Sequence, residues 1–345
     1  MLDAWFPPSP GVLDALRQDL PWLVQTSPPT HAEGLAEVIA GHRGVESANI
    51  LAGAGSSNLI FLALRAWLDR SSRVLLLDPT YGEYAHVLER VIGCAVDRFR
   101  LDREDNYRVD PPALTQALQK GYDLAVLVNP NSPTGQYLPR RVLEPILAAT
   151  PRSTRVWVDE TYLEYVGAQE SLETVAARSP NLIVCKSMSK VYALSGVRVA
   201  YLCAAAGQLA ALRPLTPPWA VSLPAQVAAV NALQDPAYYA ARYRETHGLR
   251  MELESELCAL DWDLVPGCAN FLLAHLPPGG PTAAMLVTAC RQRGLFLRDA
   301  ATMSPRFGSR ALRIAVKDGV TCRRMVVILR YVLASSRAVT SAAKL

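Results

Sequence analysis

The sequence predicts an α/β fold: a mostly parallel sheet flanked by helices in a large domain, then a smaller C-terminal α+β domain. Three observations predict it. Short apolar runs at 73–78 (RVLLLD), 124–128 (LAVLV), 156–158 and 182–185 have the length of buried strands and alternate with helical stretches. Each run stops in a turn dense in Pro, Gly, Asn, Asp or Ser, which is where α/β sheets bind ligands. After a proline-rich break at 214–218 the pattern changes to long helices followed by shorter, partly antiparallel strands. The expected divisions are an arm and helix at 1–45, a large domain at 46–235 and a small domain at 236–345.

Taken in order, residues 1–10 hold too many prolines for regular helix. Residues 11–20 carry Val12, Leu13, Leu16 and Leu20 at helical spacing, and 26–30 (TSPPT) reads as extended. A helix is expected at 32–41, with Gly41 near its end, and a strand at 49–52. The turn GAGSSN at 53–58 feeds an apolar helix at 59–68. In the second half, 220–233 and 238–260 read as helices, and 262–266 and 269–275 as strands about a turn. A helix at 283–293, strands at 295–297 and 311–316, and a last helix at 321–335 follow. The small, polar tail from Ala338 is expected to fray.

Composition excludes several classes. The chain has 345 residues, half of them hydrophobic and 19% charged, which suits a soluble globular protein with a sizeable core. Its net charge of +4 is spread thinly, with no basic arm or aromatic-interleaved patch for nucleic acid. No apolar run approaches the roughly 18 residues of a membrane span. The N-terminus has no basic stretch leading into an apolar one, so it does not read as a secretory signal. The seven dispersed cysteines read as reduced thiols of a cytoplasmic protein, and the five histidines show no metal-ligand spacing.

The chemistry concentrates at 181–201 (NLIVCKSMSKVYALSGVRVAY). A buried strand there delivers Lys186, Ser187, Ser189 and Lys190, with Arg198 eight residues beyond Lys190. A lysine so placed can hold an aldehyde cofactor as a Schiff base while hydroxyls and an arginine hold its phosphate. A plain basic loop is the alternative. GAGSSN is either an anion site at a helix N-terminus, with Ser56 and Ser57 adding hydroxyls, or a tight turn with serine caps. Tyr81, on the loop after 73–78, can stack on a flat ring or stand at a rim. Asp159 and Tyr162, at the end of another strand, can address two atoms of one ring.

These segments together resemble the fold-type I pyridoxal-phosphate enzymes of the class I/II aminotransferase superfamily. The match is best with the histidinol-phosphate aminotransferase branch, which also contains threonine-phosphate decarboxylase. It covers nearly the whole chain and rests on GAGSS at 53–57, PTY at 79–81, NPNSPTG at 129–135, DETY at 159–162, SMSK at 187–190 with Arg198, and LRIAV at 312–316. The resemblance implies pyridoxal 5'-phosphate as cofactor, no metal, a small-molecule amine or keto-acid substrate and a homodimer. It implies that Lys190 binds the cofactor covalently and moves a proton, that Asp159 pairs with the ring nitrogen, and that Tyr162 bonds the ring oxygen. Gly55, Ser56, Ser187, Ser189 and Arg198 would hold the phosphate, Tyr81 would stack on the ring, and Arg313 would receive a substrate anion.

Two departures from the family's pattern stand out. Ser132 occupies the position where the family usually has Asn before Pro-Thr-Gly, with Asn131 one residue earlier; the resemblance implies that both bind the cofactor, Ser132 through a hydroxyl to the ring oxygen. The stretch Thr26-Ser27-Pro28 lacks the tyrosine with which a partner subunit usually reaches the phosphate. Trp5 and Phe6 either line the substrate side or pin the proline-rich arm. The expected activity is an aminotransferase; a decarboxylase on the same scaffold is the alternative. A nicotinamide dehydrogenase is a remote one, resting on the turn at Gly53 with Asp78 downstream, but Asn58 stands where its third glycine belongs.

Overall fold

The computed structural model describes residues 2–342, with side chains through residue 335. Seven strands form the larger sheet: β1 (Ile50–Gly53), β2 (Arg73–Asp78), β3 (Ala95–Arg100), β4 (Leu124–Val128), β5 (Arg155–Asp159), β6 (Leu182–Ser187) and β7 (Ala200–Cys203), in the order β1-β7-β6-β5-β4-β2-β3. β2 through β6 run parallel, and β7 runs antiparallel to both β6 and β1. Strand β4 is buried along its whole length, which is why it reads as an unbroken apolar run; β6 is equally buried, but its apolar run stops at Cys185, before Lys186 and Ser187.

The reversal of β7 shapes the site. Ser187, Ala200 and Gly53 stand in one cross-strand row at the edge where the parallel strands end. Because β7 starts at that edge, the residue two before it, Arg198, arrives beside the C-terminal ends of β1 and β6. Arg198 adopts a left-handed backbone, φ 60°, an uncommon conformation for a side chain of its size.

The smaller sheet, β10-β11-β9-β8, is antiparallel throughout: β8 (Asp263–Val265), β9 (Phe271–His275), β10 (Arg298–Asp299) and β11 (Ala311–Ala315). One face, with Leu272, Ala274, Leu312 and Ile314, packs under the helices Pro236–Cys258, Ala283–Arg291 and Gly319–Ala342. The other face, with Phe271, Leu273 and Ala315, joins the core of the larger sheet. The two sheets thus share one packed boundary.

Several expectations need correction. The polar, half-exposed β3 was not anticipated; an edge strand with two charged arginines and an aspartate does not read as apolar. Residues 295–297 are not a strand; the pairing with β11 falls on Arg298 and Asp299. Pro21 starts a separate short helix, Leu20–Gln25, rather than lying beyond the first helix, Pro10–Gln18. Helix Glu33–Arg43 ends at Gly44, not Gly41, because Gly44 takes the left-handed cap, φ 68°. The tail from Ala338 continues the last helix to Ala342, its alanines being good helix formers, and residues 343–345 lie outside those described.

Candidate active site

The carboxyl ends of the parallel strands and the loops that leave them enclose a cavity of about 310 Å³. Ser56, Ser57, Tyr81, Ser132, Asp159, Tyr162, Ser187, Ser189, Lys190, Arg198 and Arg313 all line it. Residues spread over more than 250 positions therefore converge, through the shared strand edge and one strand of the smaller sheet.

One end of the cavity is an anion cup. Helix Ser56–Trp67 opens toward it with no acidic residue in its first turn, so its free N–H groups and dipole face the cavity unopposed. Gly55 precedes it at φ 88°, and a Cβ there would lie 2.5 Å from an Arg198 guanidinium nitrogen. Only glycine permits that approach. Arg198 Nη1 donates to the Ser195 carbonyl at 3.0 Å and to Ser189 Oγ at 3.5 Å; no carboxylate pairs with it among the described residues. Four serine hydroxyls and an unpaired guanidinium fit a phosphate.

The cavity wall also carries Asp159 and Lys190. The Asp159 carboxylate is buried and forms no ion pair among the described residues; Thr161 N–H and Oγ donate to Oδ1 at 2.9 and 2.6 Å, and the Tyr84 hydroxyl to Oδ2 at 2.7 Å. Burial pushes its pKa above the usual carboxylate range, against the hydrogen bonds from Thr161 and Tyr84. A buried carboxylate without a cation suits a ligand that brings a positively charged N–H. Lys190 Nζ lies 2.9 Å from Asp3 Oδ1 and 3.5 Å from Ser195 Oγ. Burial works to raise the Asp3 pKa, but the Lys190 and Ser195 contacts outweigh it and hold it low.

The far side carries the remaining aromatics and a second cation. Tyr162 is buried edge-on against Phe271, and burial lifts its phenol far above the usual range, so it stays a proton donor. Tyr81 donates to Glu83 Oε2 at 2.6 Å, and burial with that carboxylate keeps its phenol protonated too. Arg313 lies over Phe271, its Nη1 3.4 Å from Ser132 Oγ, and its buried Nε has no partner. Burial lowers the Arg313 pKa, and no acid pairs with it among the described residues.

Two anticipated residues sit differently from the rest. Asn131 is not on the cavity wall: its amide donates to the Pro79 carbonyl at 2.9 Å and to Thr134 at 3.1 Å, and accepts from Thr80 at 2.7 Å. It ties two turns together while Ser132 faces the cavity. Gly55 acts through the space it leaves for Arg198. Trp5 and Phe6 pin the arm: Trp5 Nε1 donates to Thr246 at 2.9 Å, and Phe6 packs against Tyr238 and Tyr239. That pinning carries Leu2 and Asp3 to the cavity wall, with Asn270 and Lys317 holding their carbonyls. Asp3, Thr161 and Tyr84 went unread. Thr161 had a signal, since Asp-x-Thr favours a local turn bond; Asp3 and Tyr84 had none.

The sequence pattern of the family described as "Aminotransferase class I and II" matches residues 8–329. Histidinol-phosphate aminotransferase 2 of Burkholderia mallei is 32% identical over 336 residues, 96% of this chain and 90% of that protein. Among solved structures, histidinol-phosphate aminotransferase from Sinorhizobium meliloti in complex with pyridoxal-5'-phosphate superposes with a TM-score of 0.86 at 23% identity, covering 97% of this chain and 89% of that one. L-threonine-O-3-phosphate decarboxylase from Porphyromonas gingivalis superposes with a TM-score of 0.80 at 23% identity, covering 94% and 98%. The structural likenesses speak to the fold; the match along most of the sequence makes this chain a member of the class I and II aminotransferase family.

Proposed function

We propose that this chain is a pyridoxal-phosphate-dependent aminotransferase acting on a phosphorylated amino compound of the histidinol-phosphate type. The observation that carries it is the set of groups that line one cavity: an anion cup, a lysine, a buried carboxylate without an ion pair, and a second arginine without an acid partner. The curated relative supports the substrate type, since its identity extends over nearly the whole chain. The dehydrogenase alternative has nothing to place against Asp159, Lys190 and Arg313, and Asp78 is engaged by the Ser304 hydroxyl at 2.9 Å.

Pyridoxal phosphate, when bound, supplies an aldehyde that captures an amine and a ring that takes up the electrons of a broken bond. The protein's residues bind, orient and move protons. Ser56, Ser57, Ser187, Ser189 and Arg198 bind the phosphate, aided by the helix N-terminus that Gly55 leaves open. The Asp159 charge holds a proton on the ring nitrogen. Tyr81 offers an aromatic surface, and Tyr162 and Ser132 offer hydroxyls to the ring oxygen. Lys190 Nζ would hold the cofactor and, once the substrate amine has displaced it, would be free to take the proton from the substrate carbon bearing the amine. Arg313 grips the substrate's anionic group through a planar fork.

The working form in this reading is a cytoplasmic homodimer. Leu20, Trp22, Val24, Leu215 and Trp219 are exposed, and Trp219 N–H bonds the Thr30 carbonyl, joining the two segments that carry them; such apolar surface suits a second copy. No helix among the described residues is long and apolar enough to cross a membrane, and the seven cysteines are unpaired.

The test is a substrate panel: histidinol phosphate, threonine phosphate, glutamate and aspartate with the cofactor-loaded protein, following keto or aldehyde product and carbon dioxide together. Amino transfer from histidinol phosphate to 2-oxoglutarate is expected. Carbon dioxide release without a carbonyl product would replace this reading with a decarboxylase.

A further inference from the structure

Behind the Asp159 carboxylate runs a buried hydrogen-bond chain. The Trp157 indole Nε1 donates to the Tyr84 hydroxyl at 2.8 Å, and that hydroxyl donates to Asp159 Oδ2 at 2.7 Å. Trp157 and Tyr84 have no exposed surface. An indole N–H is a donor only. The Tyr84 oxygen must therefore accept from Trp157, and its single proton is left for the carboxylate. The chemistry of the groups fixes the direction of both bonds. Burial beside Asp159 keeps the Tyr84 phenol protonated well past the neutral range, so the donor is always present.

The two Asp159 oxygens are thus gripped from opposite sides, Oδ1 by Thr161 and Oδ2 by Tyr84. The other titratable groups near it are Glu83 and Tyr81 on the turn after β2, Tyr162 on the turn after β5, and Cys185 on β6. None of these supplies a positive charge. Tyr84 and Thr161 are what sets the plane of the carboxylate and how much of its charge remains to be shared. Hydrogen bonds donated to a carboxylate make it a weaker base, because they stabilise its charged form.

We propose that Tyr84, its proton directed by the Trp157 indole, is a positioning residue that fixes the plane of the Asp159 carboxylate and sets how strongly that carboxylate draws on a proton of the bound ring nitrogen. The inference rests on the pyridoxal-phosphate reading. It deepens that reading by placing the control of the ring proton in a tyrosine that never touches the cavity wall.

The experiment loads the protein with pyridoxal phosphate labelled with nitrogen-15 in the ring and records the ring-nitrogen resonance across the neutral pH range. Wild-type protein should show a protonated ring nitrogen. A neutral one would overturn the cofactor reading, and this inference with it. Tyr84→Phe keeps the ring packed against Tyr81 and Trp157 but removes the donor. Its Asp159 becomes the stronger base, so the resonance should move toward the neutral-pyridine position. Turnover should fall about tenfold with KM little changed, the pattern of a group acting through the transition state. Tyr84→Phe/Trp157→Phe removes the indole N–H that the single change orphans, and should show the same shift. A wild-type ring-nitrogen resonance and wild-type kcat in both variants, with the wild-type ring protonated, would reduce Tyr84 to a core aromatic and overturn the proposal alone.

Discussion

Two lysines four residues apart, Lys186 on β6 and Lys190 just past it, sit in opposite electrostatic worlds. Lys186 is 3% exposed and its Nζ lies 2.9 Å from Glu164, 3.2 Å from Glu160 and 3.9 Å from Glu173. Arg43 joins the same cluster, bonding Glu164 at 2.9 Å and Glu173 at 3.4 Å. Burial alone would lower the Lys186 pKa, but the carboxylates outweigh it and hold it above its ordinary value. Nearly every charge there finds its opposite within the chain. In the cavity, Arg198, Arg313 and Asp159 have no charged partner among the described residues, and Lys190 meets only the half-exposed Asp3. Arg198 stays exposed, but Asp159 and the Arg313 Nε are buried, and charges buried without partners cost stability, so these two mark a place a ligand completes. In the proposed function the lysine on the strand holds the fold and the one three residues past its end does the chemistry.

Exchanging the two lysines' fates tests that division most sharply. Lys190→Ala should abolish turnover and the visible absorbance of the bound cofactor. Its stability should change by about 0–1 kcal/mol, since the pair with Asp3 is 24% and 39% exposed and screened by water. Full turnover with the absorbance retained would break the comparison at its root. Lys186→Met should do the reverse. Removing one partner of a buried ion pair costs about 3–5 kcal/mol, because Glu160 is left buried without its cation while Glu164 and Glu173 share Arg43. Urea unfolding reads the loss, and the surviving folded fraction should still bind cofactor. The pH dependence follows from the raised Lys186 pKa. Its stabilisation is complete below the ordinary lysine value of 10.5 and fades as pH climbs above it, so wild type should lose more stability there than Lys186→Met, which keeps only the loss that buried phenols such as Tyr162 cause in both.

Asp159→Asn probes the unpaired carboxylate. An amide cannot hold a positive charge on a ring nitrogen, so turnover should fall about a hundredfold, about 3 kcal/mol in the barrier. Cofactor should still bind through Lys190 and the serine-arginine cup. The same change deletes a buried charge that the protein alone does not neutralise. The cofactor-free variant should therefore unfold at a temperature no lower than wild type, the opposite of what Lys186→Met does. Turnover near wild type at full cofactor occupancy would make Asp159 a structural residue like its counterparts around Lys186.

Much of this was legible before the fold was known, for identifiable reasons. β2 and β4 read as strands because both their faces are buried, which leaves an unbroken apolar run. A strand at 311–316 puts Arg313 on the face opposite Leu312 and Ile314 by simple alternation, and there it lies. β3 was hidden by its charged edge, and the direction of β7 is a matter of pairing that four residues do not encode. Composition could not separate Lys186 from Lys190; only the Ser-x-Ser-Lys pattern of the resemblance did. The ionic cluster was invisible because Arg43, Glu160, Glu173 and Lys186 come from four separate elements. Asn131 and Ser132 are neighbours with interchangeable chemistry, and only the turn's geometry sends one to the cavity and the other to the Pro79 carbonyl. Tyr84 lay three residues past Tyr81 with nothing in the chain to link it to Asp159.

The smallest expected effect belongs to Arg313, and it asks whether an unpaired cation marks a substrate or merely tolerates burial. Its guanidinium is flanked by Phe271 and Ser132, with Nε lacking any partner. A planar fork can take two oxygens of a carboxylate or phosphate at once, whereas an ammonium takes them singly. Arg313→Lys keeps the charge and loses the fork. KM should rise about tenfold, about 1.4 kcal/mol of substrate binding, with the resting cofactor spectrum unchanged if Arg313 holds substrate as proposed. Which substrate suffers is informative. If the loss is confined to amines with an adjacent carboxylate, Arg313 grips that group; if it is confined to phosphorylated amines, it grips the phosphate. Equal kinetics of Arg313→Lys and wild type for every amine in the panel would place the substrate elsewhere, and an unpaired buried cation would no longer suffice to locate a ligand in this chain.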